Sequence, residues 1–293
     1  MPNTPLAVSF ALANAVTVSF LNLSVRRADR HGNAATGVSI GLLFALPFTG
    51  AASWYLWREG WWDPAAWAYF AASGAVGPSV ARVLLFLSIQ RLGVPRAVPL
   101  VSTMPLAAAV MGIAFLDERP GLIVLAGTLL VVAGCMAITA KRGEDRSWSR
   151  RDLWLPFASV VAFSLSHVLR KKGLVLVPSP VLGFTVMSAA GLACLWLFGG
   201  LLPREQRPGW GTAAAWRVYS VAGAFNAVSV LFHFYALQHG DLTVVIPLAS
   251  TAPFFSLVLS WIFLRGIDRV TGLIVAGTVL VVLGGALITW RVL

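Results

Sequence analysis

Long apolar segments alternate with short polar and charged clusters along the whole chain, and ten of the apolar segments are near the length needed to cross a bilayer. They cover roughly residues 5–25, 35–57, 64–90, 95–116, 120–140, 153–170, 179–202, 212–237, 242–264 and 270–290. Lipid offers no hydrogen-bond partners to the backbone, so segments of this length in a membrane must be helices. The pattern therefore predicts an all-α, polytopic membrane protein with ten transmembrane helices.

The chain also repeats one sequence pattern after about 150 residues. Residues 97–105 read AVPLVSTMP and residues 245–253 read VIPLASTAP, while residues 125–134 (LAGTLLVVAG) match residues 275–284 (VAGTVLVVLG). Such a duplication in an apolar chain is typical of transporters built from two structural repeats. The most polar linker follows the fifth segment, so we place the first repeat at 1–145 and the second at 146–293. Five helices per repeat is an odd number, and the second repeat must enter the membrane inverted.

Composition agrees with a membrane location and adds an orientation. The mean hydropathy is +0.81, and the net charge of +11 predicts contact with anionic lipid rather than with nucleic acid. Loops after helices 1, 3 and 5 carry more Lys and Arg than those after helices 2 and 4, which places both termini outside the cytoplasm. In the second half this bias is weak, with Arg170, Lys171 and Lys172 assigned to the loop after helix 6.

Charged groups inside the predicted helices are few and of one sign. Every acidic residue falls at or beyond a predicted helix end, which argues against a cationic substrate held by a buried carboxylate. Arg82, in contrast, lies several residues inside the third helix. Two interpretations stay open. In the first, the Arg82 guanidinium donates paired hydrogen bonds to an anionic group of a substrate. In the second, its side chain extends to the membrane–water interface or binds backbone carbonyls that lack a helix hydrogen bond.

Polar stripes on helices 1, 6 and 8 are expected to face a cavity or another helix rather than lipid. The two imidazoles within helices 6 and 8, His167 and His233, suit a proton relay, or each is simply hydrogen-bonded to a neighbour. The stripes consist of Asn14, Thr17 and Ser24, of Ser164, His167 and Arg170, and of Asn226, Ser229 and His233. We select as candidate substrate-binding residues Arg82, Asn14, Asn226, His233, Tyr235 and His167.

The two Pro-Ser-Thr-Pro blocks predict kinked helices at equivalent positions of both repeats. Each proline removes a helix hydrogen bond, and nearby hydroxyls can bind the freed carbonyls. Matching kinks indicate a binding region or a moving gate, although bending for packing alone is the alternative. The residues concerned are Pro99, Ser102, Thr103 and Pro105, with Pro247, Ser250, Thr251 and Pro253.

Charged pairs in two loops and glycines in two helices are expected to have structural roles in both repeats. The acid–base pairs that follow helices 4 and 9 are expected to be structural: Glu118 with Arg119, and Asp268 with Arg269. Glycines spaced seven residues apart lie on one face of helices 5 and 10 and predict close helix packing: Gly127 and Gly134, and Gly277 and Gly284. We find no metal-ligand cluster, no cofactor motif and no nucleophile–base pair, and therefore expect no metal, no cofactor and no enzyme activity.

Together these motifs resemble the EamA family of the drug/metabolite transporter superfamily. The Pro-x-x-Ser-Thr-x-Pro stretch of helix 4, followed by Glu118-Arg119 and Gly127, looks like the hallmark of that family. The stretch from Pro247 to Pro253, followed by Asp268-Arg269 and Gly277, looks like its second copy. The resemblance implies an inverted-repeat carrier whose central cavity is lined by helices 1, 3, 4, 6, 8 and 9. It also implies cytoplasmic termini, opposite to the charge count.

We therefore expect a secondary transporter of the bacterial inner membrane that works by alternating access. Its cargo would be a small exported metabolite such as an amino acid, whether zwitterionic, anionic or neutral. Two alternatives are a lipid-carrier flippase subunit and a lipid-modifying enzyme. The expected partners are the small-molecule substrate and membrane lipid, with no nucleic acid, and both a monomer and a homodimer stay open.

Overall fold

The computed structural model describes residues 3–28, 33–139, 149–202, 204, 207–263 and 272–292. Within these ranges the chain is helical and contains no β-strand. The α-helices are α1 (Thr4–Ala28), α2 (Ala34–Tyr55), α3 (Pro64–Gly74), α4 (Arg82–Leu92), α5 (Val94–Val101), α6 (Met104–Leu116), α7 (Leu122–Thr139), α8 (Trp154–Leu176), α9 (Pro180–Leu197), α10 (Ala213–His239), α11 (Leu242–Ala249), α12 (Ala252–Phe263) and α13 (Gly272–Val292).

Ten segments of the described chain are long and apolar enough to span a membrane, which confirms the prediction from sequence. Seven of them are single helices. The third span joins α3 to α4 through a π-helical turn at Ala75–Ala81. The fourth span consists of α5 and α6, and the ninth of α11 and α12. The boundary predicted between residues 145 and 146 falls within 140–148, outside the described residues.

The sixth span is longer than the sequence predicted. We expected it to end at residue 170, but α8 continues to Leu176, so Arg170, Lys171 and Lys172 belong to a helix rather than to a loop. The helix continues because its basic side chains have partners or space inside the protein: Arg170 is buried, and the Lys171 ammonium donates to two backbone carbonyls. The weak charge bias of the second half thus rested partly on misassigned residues.

Both Pro-Ser-Thr-Pro blocks break their helices as predicted. The fourth span is interrupted between Val101 and Met104, and the ninth between Ala249 and Ala252. At each break a threonine hydroxyl donates to the carbonyl three residues earlier, Thr103 to Leu100 and Thr251 to Leu248, both at 2.7 Å. Ser102 donates to Val98, whereas the hydroxyl of its equivalent Ser250 is buried without a partner.

Helices α7 and α13 pack against each other in opposite directions and reveal the symmetry of the repeats. A Cβ on Gly127 would lie 2.8 Å from the Gly284 carbonyl, and a Cβ on Gly134 would lie 2.6 Å from the Gly277 carbonyl. The repeat offset equates Gly127 with Gly277 and Gly134 with Gly284. Exchanging the repeats therefore turns one contact into the other, as a two-fold axis between antiparallel equivalent helices requires. The two five-helix repeats are inverted relative to each other.

Two further glycine crossings obey the same symmetry in the helices that surround the centre. Gly41 on α2 meets Gly223 on α10, and Gly191 on α9 meets Gly74 on α3, each with backbone against backbone. Gly41 and Gly191 are equivalent in the two repeats, as are Gly74 and Gly223 to within one residue. Small residues permit this close approach, which lipid-embedded helices use for van der Waals packing. Around the centre, α1 packs mainly on α10, and α8 on α3 and α6.

The turn that ends α6 positions a buried carboxylate. Asp117 has a left-handed conformation with φ of 54°, and the Glu118 amide donates to the Gly112 carbonyl at 3.2 Å. Glycine favours the left-handed conformation of Asp117, because other residues pay a steric cost there. The turn directs the Glu118 side chain inward, where only 8% of its surface is exposed.

Replacing Asp117 by glycine is expected to stabilise the protein by up to about 1 kcal/mol, because glycine adopts φ of 54° without strain. The Asp117 side chain is exposed and makes no hydrogen bond within the described chain, so nothing is lost. Thermal unfolding in detergent micelles measures the change. As a control of opposite sign, Asp63→Ala removes the N-cap of α3, which binds Ala65 and Ala66, and should cost about 1 kcal/mol. A lower melting temperature for Asp117→Gly would refute the strain argument.

Candidate functional site

The π-helical turn in the third span determines where Arg82 lies. Pro78 within the turn has no N–H to donate, and the Arg82 amide reaches back to the carbonyl of Gly77, five residues earlier. Ser79 is buried and its hydroxyl donates to the Gly191 carbonyl at 2.8 Å, which fixes the turn against α9. Single π-helical turns are frequent at functional sites because they redirect the side chains that follow.

Arg82 is a charged group without a partner inside the helix bundle. Its side chain is partly buried, and its Nε atom is buried without a hydrogen-bond partner. No carboxylate of the described chain forms an ion pair with it. The interpretation that Arg82 binds freed carbonyls therefore finds no support, since its guanidinium makes no hydrogen bond to the described residues.

A second unpaired guanidinium lies nearby on α8. Arg170 is only 7% exposed, and its Nε atom is also buried without a hydrogen-bond partner. Its guanidinium carbon lies 5.4 Å from the centre of the Phe234 ring, within the range of a cation–π contact. One terminal nitrogen of Arg170 lies 3.4 Å from the place where a Cβ on Gly77 would be, so this arginine reaches the π-helical turn that precedes Arg82.

His167 and His233 form a buried pair in the same region. The His233 Nε2 and His167 Nδ1 atoms are 3.0 Å apart, and the ring centres are 4.6 Å apart. In the neutral tautomers one nitrogen donates and the other accepts, so the pair shares one proton between its two facing nitrogens. His167 lies one turn before Arg170 on α8, and His233 directly precedes Phe234 on α10. We call Arg82, Arg170, His167 and His233 the basic cluster.

The remaining candidates are Asn14, Asn226 and Tyr235, and no hydrogen bond within the described chain joins any of them to this cluster. The Asn14 amide donates to the carbonyl and hydroxyl of Ser229 at 2.7 and 2.8 Å, so it joins α1 to α10. Asn226 is half-buried and makes no hydrogen bond within the described chain. Tyr235 stacks on Phe10 of α1 with ring centres 5.2 Å apart, on the face of α10 opposite His233. Asn14 and Tyr235 therefore have structural contacts of their own.

Glu118 binds backbone rather than Arg119. Its two carboxylate oxygens accept from the amides of Leu242 and Thr243 at 2.6 and 2.8 Å, which caps the start of α11. The Lys171 ammonium donates to the Leu237 and Gly240 carbonyls at 2.7 Å each and so covers the end of α10. Arg119 is exposed, and Asp268 and Arg269 lie outside the described residues.

Sequence reasoning selected Arg82, His167 and His233 but not Arg170, which turns out to lie in the same cluster. The signal was present, because Arg170 lies one turn after His167 and six residues after Ser164 on a polar face. The sequence also favours placing Arg170 in the loop after the sixth helix, because three basic residues in a row are typical of a loop. The pairing of the two histidines has no sequence signal, because it depends on the rotation of α8 against α10.

Comparisons with known proteins agree with this architecture. The model of the EamA-like transporter family matches residues 5–140 and 151–290. A solved structure titled "Crystal structure of protein" superimposes with a TM-score of 0.80 over 99% of each chain, at 15% sequence identity, and so shares the fold. No curated protein matches the sequence. Because the family model covers both repeats almost completely, the chain belongs to the EamA-like transporter family.

Proposed function

We propose that this protein is a secondary transporter of a bacterial inner membrane that exports a small metabolite bearing an anionic group, such as an amino acid. Family membership makes the chain a multi-pass membrane transporter, and the unpaired Arg82 guanidinium carries the proposal of an anionic group. A charge without a partner is costly inside a membrane, by several kcal/mol. A cargo carboxylate that binds the guanidinium in a bidentate manner removes that cost.

Alternating access supplies the mechanism. The inverted repeats can exchange conformations across their two-fold axis, which would open the cluster first to one side of the membrane and then to the other. The breaks at Ser102-Thr103 and Ser250-Thr251 lie at equivalent positions and shorten the rigid helices that would have to move. A cargo bound at Arg82 would favour the conformation in which the guanidinium is shielded from lipid and water.

Counterflow into proteoliposomes tests the proposal. Proteoliposomes that contain the purified protein are preloaded with unlabelled compounds, and the uptake of radiolabelled amino acids and organic acids is measured. We expect transport of at least one anionic metabolite, and Arg82→Gln should lower kcat/KM at least about tenfold because a charge-assisted bidentate contact is lost. Arg91→Gln is the matched control: Arg91 pairs with Asp152 at 2.9 Å in an exposed position and should matter little.

Two outcomes would contradict the proposal. Unchanged transport by Arg82→Gln would remove Arg82 from the site, and absence of transport for every metabolite would remove the function itself. A lipid-carrier flippase is the second candidate, because an apolar cavity of about 420 Å³ lies between α2, α3 and α9. Trp54, Trp57 and Leu182 are among its lining residues. Translocation of labelled lipid by the same proteoliposomes, without metabolite transport, would favour that candidate.

A further inference from the structure

The third span and α8 run in opposite directions, which makes the side chains of Arg82 and Arg170 converge. The Ser166 hydroxyl donates to the Ser73 carbonyl at 2.8 Å, and the Ser159 hydroxyl donates to the Ala81 carbonyl at 3.0 Å. Higher numbers on one helix thus face lower numbers on the other. Long side chains on a helix lean toward its N-terminus, so side chains on antiparallel helices lean toward each other.

The π-helical turn lies between the two arginines. Arg82 directly follows the turn, so a side chain that leans toward the helix N-terminus is directed back along it, while Arg170 reaches the turn beside Ser166. A Cβ on Gly77 would lie 2.5 Å from the Ser166 hydroxyl and 3.4 Å from an Arg170 nitrogen, so Ser166 and Arg170 both border the turn. A side chain at position 77 would have to displace the Ser166 hydroxyl. The two guanidinium groups are also close enough to repel each other electrostatically.

No group of the described chain neutralises this pair. Glu118 has both oxygens on backbone amides, and Asp152 pairs with Arg91 at the surface. The other described acidic residues are at helix ends or in loops: Glu59, Asp63, Asp117 and Asp241. His167 and His233 bond each other across 3.0 Å rather than accepting from either arginine. A buried and a partly buried cation with free donors and no counterion within the described chain form an incomplete site, which a ligand of opposite charge completes.

The charge of the pair sets a requirement on the ligand. A single carboxylate would satisfy one guanidinium and leave the other without a partner. An ammonium group would face two cations and find no carboxylate. Phe234 covers one face of the Arg170 guanidinium, so an anion must approach its edge, where the N–H donors are.

We propose that Arg82 and Arg170 together form a site for a doubly negative group, a dicarboxylate or a phosphate monoester, with one guanidinium for each charge. This specifies the cargo of the site in the proposed function and rests on that function. Arg170 is then a specificity-determining residue: Phe234 holds it, and Gly77 and Ser166 leave it in reach of whatever binds Arg82.

Binding of isosteric pairs that differ by one charge tests this proposal. Calorimetry with the purified full chain compares succinate with succinamate, glutamate with glutamine, and phenyl phosphate with phenyl sulfate. We expect the more anionic member of the dicarboxylate pairs or of the phosphate pair to bind about 10- to 100-fold more tightly, the range for one charged contact. A charge preference in the dicarboxylate pairs would identify the ligand as a dicarboxylate, and a preference in the phosphate pair would identify it as a phosphate monoester.

Variants show whether Arg170 causes the preference. Arg170→Gln and Arg82→Gln should each reduce the affinity ratio to about threefold or less, and Arg170→Lys should keep part of it because the charge remains. Arg91→Gln should leave the ratio unchanged. A lost cation–π contact alone would weaken both members of a pair equally and not change their ratio. Gel filtration confirms that each variant is folded, and Arg170→Lys carries the test if Arg170→Gln is not.

Three results would overturn the two-arginine site. One is equal binding of both members of every pair by the wild type, another is an affinity ratio unchanged in Arg170→Gln, and the third is no binding of any compound. Transport of a zwitterionic or singly negative metabolite that depends on Arg82 but not on Arg170 would leave the proposed function standing and refute this inference alone. Failure of all transport in proteoliposomes would instead refute the proposed function.

Discussion

Replacing Glu118 by alanine is expected to lower the free energy of unfolding by roughly 3 kcal/mol or more. Its carboxylate accepts from the amides of Leu242 and Thr243 at 2.6 and 2.8 Å while almost fully buried. Hydrogen bonds to a charged group contribute about 1.5 to 3 kcal/mol each, and the carboxylate also lies at the positive end of α11. Without it, both amides stay buried and unpaired. Denaturation in detergent micelles measures the loss.

A matched carboxylate serves as the control for this prediction. Asp152 is paired with Arg91 at 2.9 Å, but the arginine side chain is 55% exposed. Exposed ion pairs contribute about 0 to 1 kcal/mol, so Asp152→Asn should have little effect. Glu118→Gln should fall between, because its amide keeps one acceptor and turns a donor toward the second N–H. Equal stabilities for Glu118→Ala and Asp152→Asn would show that the cap contributes nothing to stability.

The ten spans could be predicted because bilayer thickness sets their length and lipid excludes unpaired backbone. The predicted segments and the observed spans differ mainly at their ends. The sixth span shows why: Arg170 and Lys171 look like loop residues, yet α8 contains both of them and continues beyond the predicted end at residue 170. A side chain buried against protein costs less than one facing lipid, and sequence alone does not show which of these a position faces.

The sequence predicted which candidate residues share a face of one helix, but not which residues of different helices contact each other. Periodicity put Ser164 and His167 on one face of the sixth helix, and Ser229 and His233 on one face of the eighth. Periodicity did not predict that His167 contacts His233, or that the Asn14 amide donates its hydrogen bonds to Ser229. Those pairings depend on the rotation of each helix about its axis, which close glycine crossings such as Gly41 with Gly223 help to fix.

The glycine contact between α7 and α13 predicts a second large loss of stability, which a comparison of the adjacent residues Gly284 and Gly285 tests. A Cβ on Gly284 would lie 2.6 Å from the Gly127 carbonyl and 2.8 Å from the Val131 amide nitrogen. Both are backbone atoms, so neither can move without moving α7. Gly284→Ala is therefore expected to lower the free energy of unfolding by about 3 kcal/mol, at the upper end for overpacked sites. The same denaturation experiment in detergent measures it.

Gly285→Ala is the control, one residue further along the same helix. Its Cβ would meet only a Leu248 side-chain atom at 4.0 Å, an ordinary contact, and alanine favours a helix over glycine by up to about 1 kcal/mol. Gly285→Ala should therefore leave the protein as stable as the wild type or slightly more so. The two-fold symmetry adds a second condition, because Gly134→Ala meets the equivalent Gly277 carbonyl at 2.6 Å and should match Gly284→Ala. If Gly284→Ala and Gly285→Ala proved equally stable, α7 and α13 could not be packed with their backbones in contact, and the axis relating the inverted repeats would lose its clearest support.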